Sequence, residues 1–510
     1  MTTSTICITI TIVLYLAGML WIGAHYAKKN ASASDFYLGG RKLGPLVTAM
    51  SAEASDMSSY LLMGLPGLAY LTGMADVGWT AIGLAAGTYL NWLFTARRLR
   101  RYTQITGAYT LPQFFSQRFK DSKSILAAIS ALIIIVFFIP YTASGFSACG
   151  KLFSSLFGVN YMTAMIVSAI VIVGYTAAGG FLAASITDLV QSIIMTISIF
   201  FVLIFATAQA GGFGAVMENA KALPGFLSFS QTYTGSGAAP YGPLTVISTL
   251  AWGLGYFGMP HILLRFMAIE DEKKLVLSRR IASIWVVIAM SVAIFIGIVG
   301  LAMTNTGALD LLEGSASETV IVRIAGLISQ TGPLAAIVAG VILAGILAAT
   351  MSTADSQMLA AASSVSQNLM QDFLHIKMTE KQSLTAARLT ILGVSVLGVV
   401  LARDPNSSVF GIVSFAWAGF GGAFGAVMLL ALFWRRCNAQ GALAGMLAGG
   451  VTVFVWKYLV RPLGGVWNIY ELLPAFLTAL AACVIVSLVT PAPDAAVCAE
   501  FDAVAAKEQA

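Results

Sequence analysis

Residues 45–70 read PLVTAMSAEASDMSSYLLMGLPGLAY. At 1.5 Å per residue a helix of this length crosses a bilayer core of about 30 Å. Its middle, Ser51 to Ser59, places two carboxylates, Glu53 and Asp56, among small polar residues. Apolar residues resume at Tyr60 and run on to Tyr70, so the polar segment reads as part of a spanning run. The alternative, a helix end at the interface, fits that resumption poorly. A charge at membrane depth costs at least about 2.5–3.5 kcal/mol, so it calls for a partner, a cavity or an ion.

The rest of the chain has the same character. Of 510 residues, 58% are hydrophobic and 10% charged, against about 25% charged in soluble domains. That excludes an ordinary soluble enzyme, a disordered chain and a nucleic-acid binder. Thirteen apolar runs of about 20 residues are expected to span a membrane, near 5–27, 45–72, 76–96, 124–150, 160–180, 186–210, 243–267, 281–304, 331–360, 384–402, 408–434, 439–460 and 469–490. Residues 5–27 read as a retained first span. The chain is expected to be one all-α polytopic membrane domain over 1–490, with a short, loosely ordered cytoplasmic tail over 491–510. Five cysteines and three histidines show no metal or disulfide spacing.

With the N-terminus outside, the inner loops and the tail collect 22 of the 28 basic residues, Arg265 among them. Only Lys151, Lys221, Arg323, Arg403, Lys457 and Arg461 fall on the outer side. The positive-inside rule prefers this orientation, with the C-terminus cytoplasmic. Gly83/Gly87 and Gly441/Gly445/Gly449 have the spacing of close helix packing.

A second interruption, Gly253 to Pro260 in the seventh span, lies five spans after the first. Paired interruptions point to inverted repeats around a central site. Spans 2–6 and 7–11 would be two inverted five-helix repeats, about 43–210 and 243–435, each with a broken first helix, and spans 1, 12 and 13 peripheral. In span 9, the Ala349 carbonyl and the Ser352 and Thr353 hydroxyls share a helical face and suit a small hard cation; back-bonding to their own helix is the competing reading. In span 7, Trp252, Tyr256 and Pro260 are spaced as one helical face, either packed on a neighbour or lining a pocket. Gly253, Gly255 and Gly258 favour the pocket by leaving backbone accessible.

Several phrases then carry a family resemblance: YLGGRKLGP over 37–45, ASDMS over 54–58, LMGLPG over 62–67 and GGFLA over 179–183 with Thr187 and Asp188. To these add WGLGYFG over 252–258 with PHIL over 260–263, MST over 351–353 and AWAGFG over 416–421. The chain resembles the sodium/solute symporter family from about residue 30 to 490, and within it the bacterial sodium/proline symporters. The resemblance implies sodium-coupled uptake of L-proline across the cell membrane by alternating access, with sodium as the co-transported ion and no organic cofactor. It implies a sodium site at Ala54, Met57, Ala349, Ser352 and Thr353, with Asp56 important for sodium affinity. It places Ser58 at the border of ion and substrate, and Tyr141, Trp252, Tyr256 and Pro260 near the substrate. Arg41 and Asp188 match positions tied to ion coupling on the cytoplasmic side. Three positions depart from the pattern: Glu53 stands where a proline symporter has glycine, Met259 replaces a glutamine, and Asp355 adds a carboxylate.

A second reading keeps the carrier and changes the cargo: a sodium- or proton-coupled symporter of another small zwitterion or carboxylate. A membrane sensor would need a signalling domain larger than a 20-residue tail. An enzyme would need a catalytic constellation, and none is legible. The expected partners are a small-molecule substrate and membrane lipid, with no nucleic acid and a monomer sufficient.

Overall fold

The structure, a computed structural model, describes residues 2–27 and 33–506. Lys28, Lys29 and Lys507, counted among the inner basic residues, lie outside the described residues. The molecule is a bundle of helices with, among the described residues, one small hairpin, Gln231–Tyr233 paired with Ala238–Pro240. Among the described residues, nine helices are long and apolar enough to cross a membrane. The other four expected runs, 45–72, 76–96, 160–180 and 243–267, fall on helices that are broken, shorter or more polar.

Helix starts follow local chemistry. Pro45, Pro243, Pro260 and Pro333 each open a helix, where the missing N–H is not needed. Asn160, Thr379 and Asn438 cap others through their side chains. Between the fifth and sixth runs, where a short loop is expected, helix Tyr161–Gln209 continues through a kink at Gly180. Its φ of 69° suits a residue without Cβ.

Helix Pro333–Ser363 is the axis of the bundle, packed by Thr3–Ala27, Pro45–Ser59, Ile125–Phe157 and Tyr161–Gln209. Helices Ala439–Val455 and Leu472–Val489 pair on the flank. A Cβ on Gly441 would meet Ser487 Oγ at 1.9 Å, and one on Gly449 the Gly422 carbonyl at 2.0 Å. Gly83 and Gly87 are likewise pressed on Leu250 and Gly253. The close-packing reading of these glycines holds.

The bundle has two ends. At the hairpin end, Ser4 Oγ donates to the Ser329 carbonyl. There too Met74 N–H reaches the Phe226 carbonyl, and Lys151 pairs with Glu318 at 2.6 Å. At the other end, Leu43 is hydrogen-bonded to Ala268 and Glu270, joining the two broken spans. The tail corrects an expectation: 495–506 is a docked helix with Val497, Phe501 and Val504 buried. It grips Arg435 through Asp502 and Lys120 through Glu500, and the Arg118 guanidinium lies 5.1 Å from the Phe501 ring.

Candidate functional site

Span 2 breaks at one residue. Ser58 has φ 49° and ψ −167°, a combination that sterics reserve for glycine, and the helix resumes through a π-turn at Tyr60–Gly64. Such strain persists only where surrounding structure enforces it. Span 7 breaks differently: residues Ala251–Gly258 form a 3-10 helix, Met259 is extended, and Pro260 opens a new helix.

The oxygens expected to hold a cation converge at the first break. Ser352 Oγ donates to the Ala54 carbonyl at 2.8 Å and lies 3.2 Å from the Ala349 carbonyl. Thr353 Oγ1 lies 3.2 Å from the same Ala349 carbonyl. Back-bonding and convergence are thus both present, and four of the five expected oxygens form one cluster. The fifth, the Met57 carbonyl, accepts the Tyr60 N–H in the same break.

Two small cavities flank the break, each with about 10 Å³ of internal space, room for roughly one water. One is lined by hydroxyls and an amide: Ser58, Ser59, Ser144, Thr350, Thr353 and Gln357. The other is largely aromatic and apolar: Tyr60, Leu84, Trp252, Val413 and Trp417, with Asp56 and Met57 at its edge. Tyr141 lines both, and its hydroxyl donates to the Asp56 carbonyl at 3.2 Å.

The four-residue spacing of Trp252, Tyr256 and Pro260 does not make one face, because a 3-10 helix repeats every three residues. Trp252 faces the aromatic cavity. Tyr256 turns to the carboxylate, its hydroxyl 2.5 Å from Asp56 Oδ2. Pro260 is buried as a helix start and lines neither cavity. The three glycines serve packing, not access: a Cβ on Gly253 would strike the Gly83 carbonyl at 2.2 Å, on Gly255 the Trp417 indole at 1.9 Å and on Gly258 the Phe420 carbonyl at 2.2 Å.

Glu53 is buried beside the break. Its Oε1 accepts the Trp92 indole N–H at 3.1 Å, while Oε2 has no partner among the described residues. Asp188 sits towards the tail end in a cluster that composition hid. Arg265, assigned to a loop by charge counting, is 1% exposed and reaches Asp188 Oδ2 at 3.0 Å. Ser51 Oγ donates to the same oxygen at 2.6 Å, and Ser356 joins Arg265 to Asp355. Arg41 is not part of this cluster. Its guanidinium donates to Thr103 and to the carbonyls of Met267 and Ala108, and burial, with help from Arg100, lowers it to about 10.

Sequence reasoning missed the roles of Arg265, Trp417 and Gln357. Arg265 had a readable signal, a charge inside the apolar run 260–268. Trp417 stands within the phrase 416–421, yet only the fold brings it and Gln357 to the breaks.

A family model described as the sodium:solute symporter family matches residues 36–449. The chain is 42% identical over 502 residues to the sodium/proline symporter of Haemophilus influenzae, covering 97% of this chain and 96% of that protein. It is 40% identical over 488 residues to the osmoregulated proline transporter OpuE of Bacillus subtilis, covering 95% of each. To the sodium/proline symporter of Escherichia coli it is 39% identical over 502 residues, 96% of this chain and 95% of that one. Among solved structures, a substrate-bound, outward-open Na+-coupled sialic acid symporter shares the fold, with TM-score 0.77 at 17% identity over 96% of this chain and 99% of that one.

Proposed function

The chain belongs to the sodium:solute symporter family, and from that premise we propose that it couples sodium entry to the uptake of L-proline across the cell membrane. The observation that carries the site is the convergence of Ala54, Ala349, Ser352 and Thr353 beside an aromatic cavity that shares the same break.

A sodium ion is a hard cation and takes oxygen ligands. Ala54 and Met57 would supply carbonyls from the broken span, and Ala349, Ser352 and Thr353 the rest from the axial helix. Binding there draws the two elements together. The substrate is a zwitterion with an apolar ring. Its carboxylate suits backbone N–H groups freed at a helix break, where the dipole favours an anion. Its ring suits Trp252, and Tyr141 stands between the two cavities. Met57 carries the coupling: its carbonyl belongs to the ion site and its side lines the solute cavity. Fixing the break for the ion therefore shapes the cavity for the solute. Asp188 and Arg265 form a further polar station on the path towards the tail end, and Arg41 holds the loops there.

The N-terminus would be outside and the C-terminus cytoplasmic. The partition of basic residues supports this, as do contacts that place Ser4 and the tail helix at opposite ends of the bundle. Spans 2–6 and 7–11 would be inverted repeats, and one chain would suffice. Uptake of labelled proline into proteoliposomes tests the function: an inward sodium gradient should drive accumulation, and equal uptake without sodium would refute coupling.

A further inference from the structure

The aromatic cavity is backed by a residue from outside both proposed repeats. Tyr470 precedes the last spanning helix, Leu472–Val489, and is 7% exposed. Its ring stacks on Trp252 with centroids 5.1 Å apart and planes 22° from parallel. Its N–H donates to Ser248 Oγ at 2.6 Å and its hydroxyl to the Ser414 carbonyl at 2.7 Å. Tyr470 thus holds both walls of the cavity: the broken span bearing Trp252, and helix Val409–Phe420 bearing Val413 and Trp417. Trp417 closes the loop, its indole N–H donating to the Trp252 carbonyl at 2.7 Å.

The anchor beneath Tyr470 is equally specific. Glu471 is fully buried and takes Arg461 at 2.8 Å and Lys457 at 3.5 Å, fixing the start of the last helix against the end of the preceding span. A tyrosine needed only for packing would require one partner for its hydroxyl. Here ring and backbone engage the broken span at Trp252 and Ser248, the hydroxyl engages helix Val409–Phe420, and the ring lies flat on Trp252, one of the two tryptophans that line the cavity. We propose that Tyr470 is a positioning residue for substrate specificity, holding the Trp252 indole against the solute ring and the two cavity walls at a fixed separation. The peripheral last span then takes part in recognition. This rests on the reading that the aromatic cavity receives proline.

The test is labelled-proline uptake in proteoliposomes for the parent, Tyr470→Ala, Tyr470→Phe and Trp252→Ala, with competing ring analogues and a sodium titration. An aromatic pair contributes about 0.5–1.5 kcal/mol beyond burial, so Tyr470→Ala should raise the apparent proline constant roughly 2- to 12-fold. It should also admit bulkier ring analogues and leave sodium activation unchanged. Tyr470→Phe keeps the stack and should show a smaller rise. If Trp252→Ala raises the constant and Tyr470→Ala matches the parent in constant and analogue ranking, the positioning role is refuted while the cavity assignment stands. If neither variant changes the constant, the cavity assignment falls and the positioning role with it. Should Tyr470→Ala fail to reach the membrane, Tyr470→Leu keeps bulk without a flat ring and carries the same expectation; a parent-like Tyr470→Leu overturns the proposal.

Discussion

The Tyr256 hydroxyl lies 2.5 Å from Asp56 Oδ2 and joins the two broken spans through one hydrogen bond. The contact aims the Tyr256 hydroxyl at Asp56, the carboxylate that the family resemblance ties to sodium affinity. A hydrogen bond to a charged group contributes about 1.5–3 kcal/mol, so Tyr256→Phe should raise the sodium activation constant by roughly 10- to 100-fold. Asp56→Asn should lose most of the sodium coupling, and Asp56→Glu should retain part of it. Sodium titrations of proline uptake read all three. A Tyr256→Phe protein with parental sodium dependence would detach this bond from the ion.

Ser352 and Thr353 are the side-chain oxygens of the converging cluster. Ser352 bridges to Ala54 on the other element, whereas the Thr353 hydroxyl, among the described residues, hydrogen-bonds within its own helix. Ser352→Ala should therefore weaken sodium activation more than Thr353→Ala, each by about 10-fold or more. Thermal stability in detergent should fall little in either. Unchanged sodium dependence in both would remove the axial helix from the ion site.

The bundle was readable because lipid imposes a simple rule: about 20 apolar residues per crossing, with every interruption expensive. Glu53 and Asp56 stood out against that rule, and so did Ser352 and Thr353. What misled was local geometry. Trp252, Tyr256 and Pro260 share a face only on a 3.6-residue repeat, while the chain over 251–258 winds as a 3-10 helix. Gly253, Gly255 and Gly258 looked like access points, yet backbone or an indole from a neighbouring helix fills the space beside each. Charge counting places Arg265 in a loop because its partner, Asp188, lies 77 residues away in sequence.

Glu53 offers a separation of structural from ionic roles. Its Oε1 accepts the Trp92 N–H, and Trp92 packs on Phe266 with centroids 4.4 Å apart. Glu53→Gln keeps an acceptor for that indole and should preserve sodium-driven uptake and stability. Glu53→Gly leaves a buried N–H without a partner, which costs about 1–3 kcal/mol. A fall in melting temperature with sodium dependence intact is expected. If Glu53→Gln abolishes sodium activation at normal expression, Glu53 and not only Asp56 belongs to the ion site.

The docked tail helix should respond to salt and acid but not to changes near neutrality. Arg435 hydrogen-bonds Asp502 through two nitrogens, both at 2.9 Å, and holds its carboxyl below the ordinary carboxylate value of about 3.9. A carboxylate lowered by docking favours the docked form above its free-state value and loses that preference as pH falls through the lowered one. Between about pH 6 and 8 the contribution is therefore constant. Both Arg435 and Asp502 are exposed, so at about 1 M salt, where the Debye length is roughly 3 Å, the attraction should be strongly screened. Hydrogen exchange over residues 495–506, pulse-labelled at one pH after equilibration, reads the docking. Protection should be equal after equilibration at pH 6 and 8, lower in high salt, and lower in Arg435→Ala at every salt concentration. The burial of Val497, Phe501 and Val504 should leave residual protection in each case. Protection that ignores both salt and Arg435→Ala would show that the apolar stripe alone holds the helix in place.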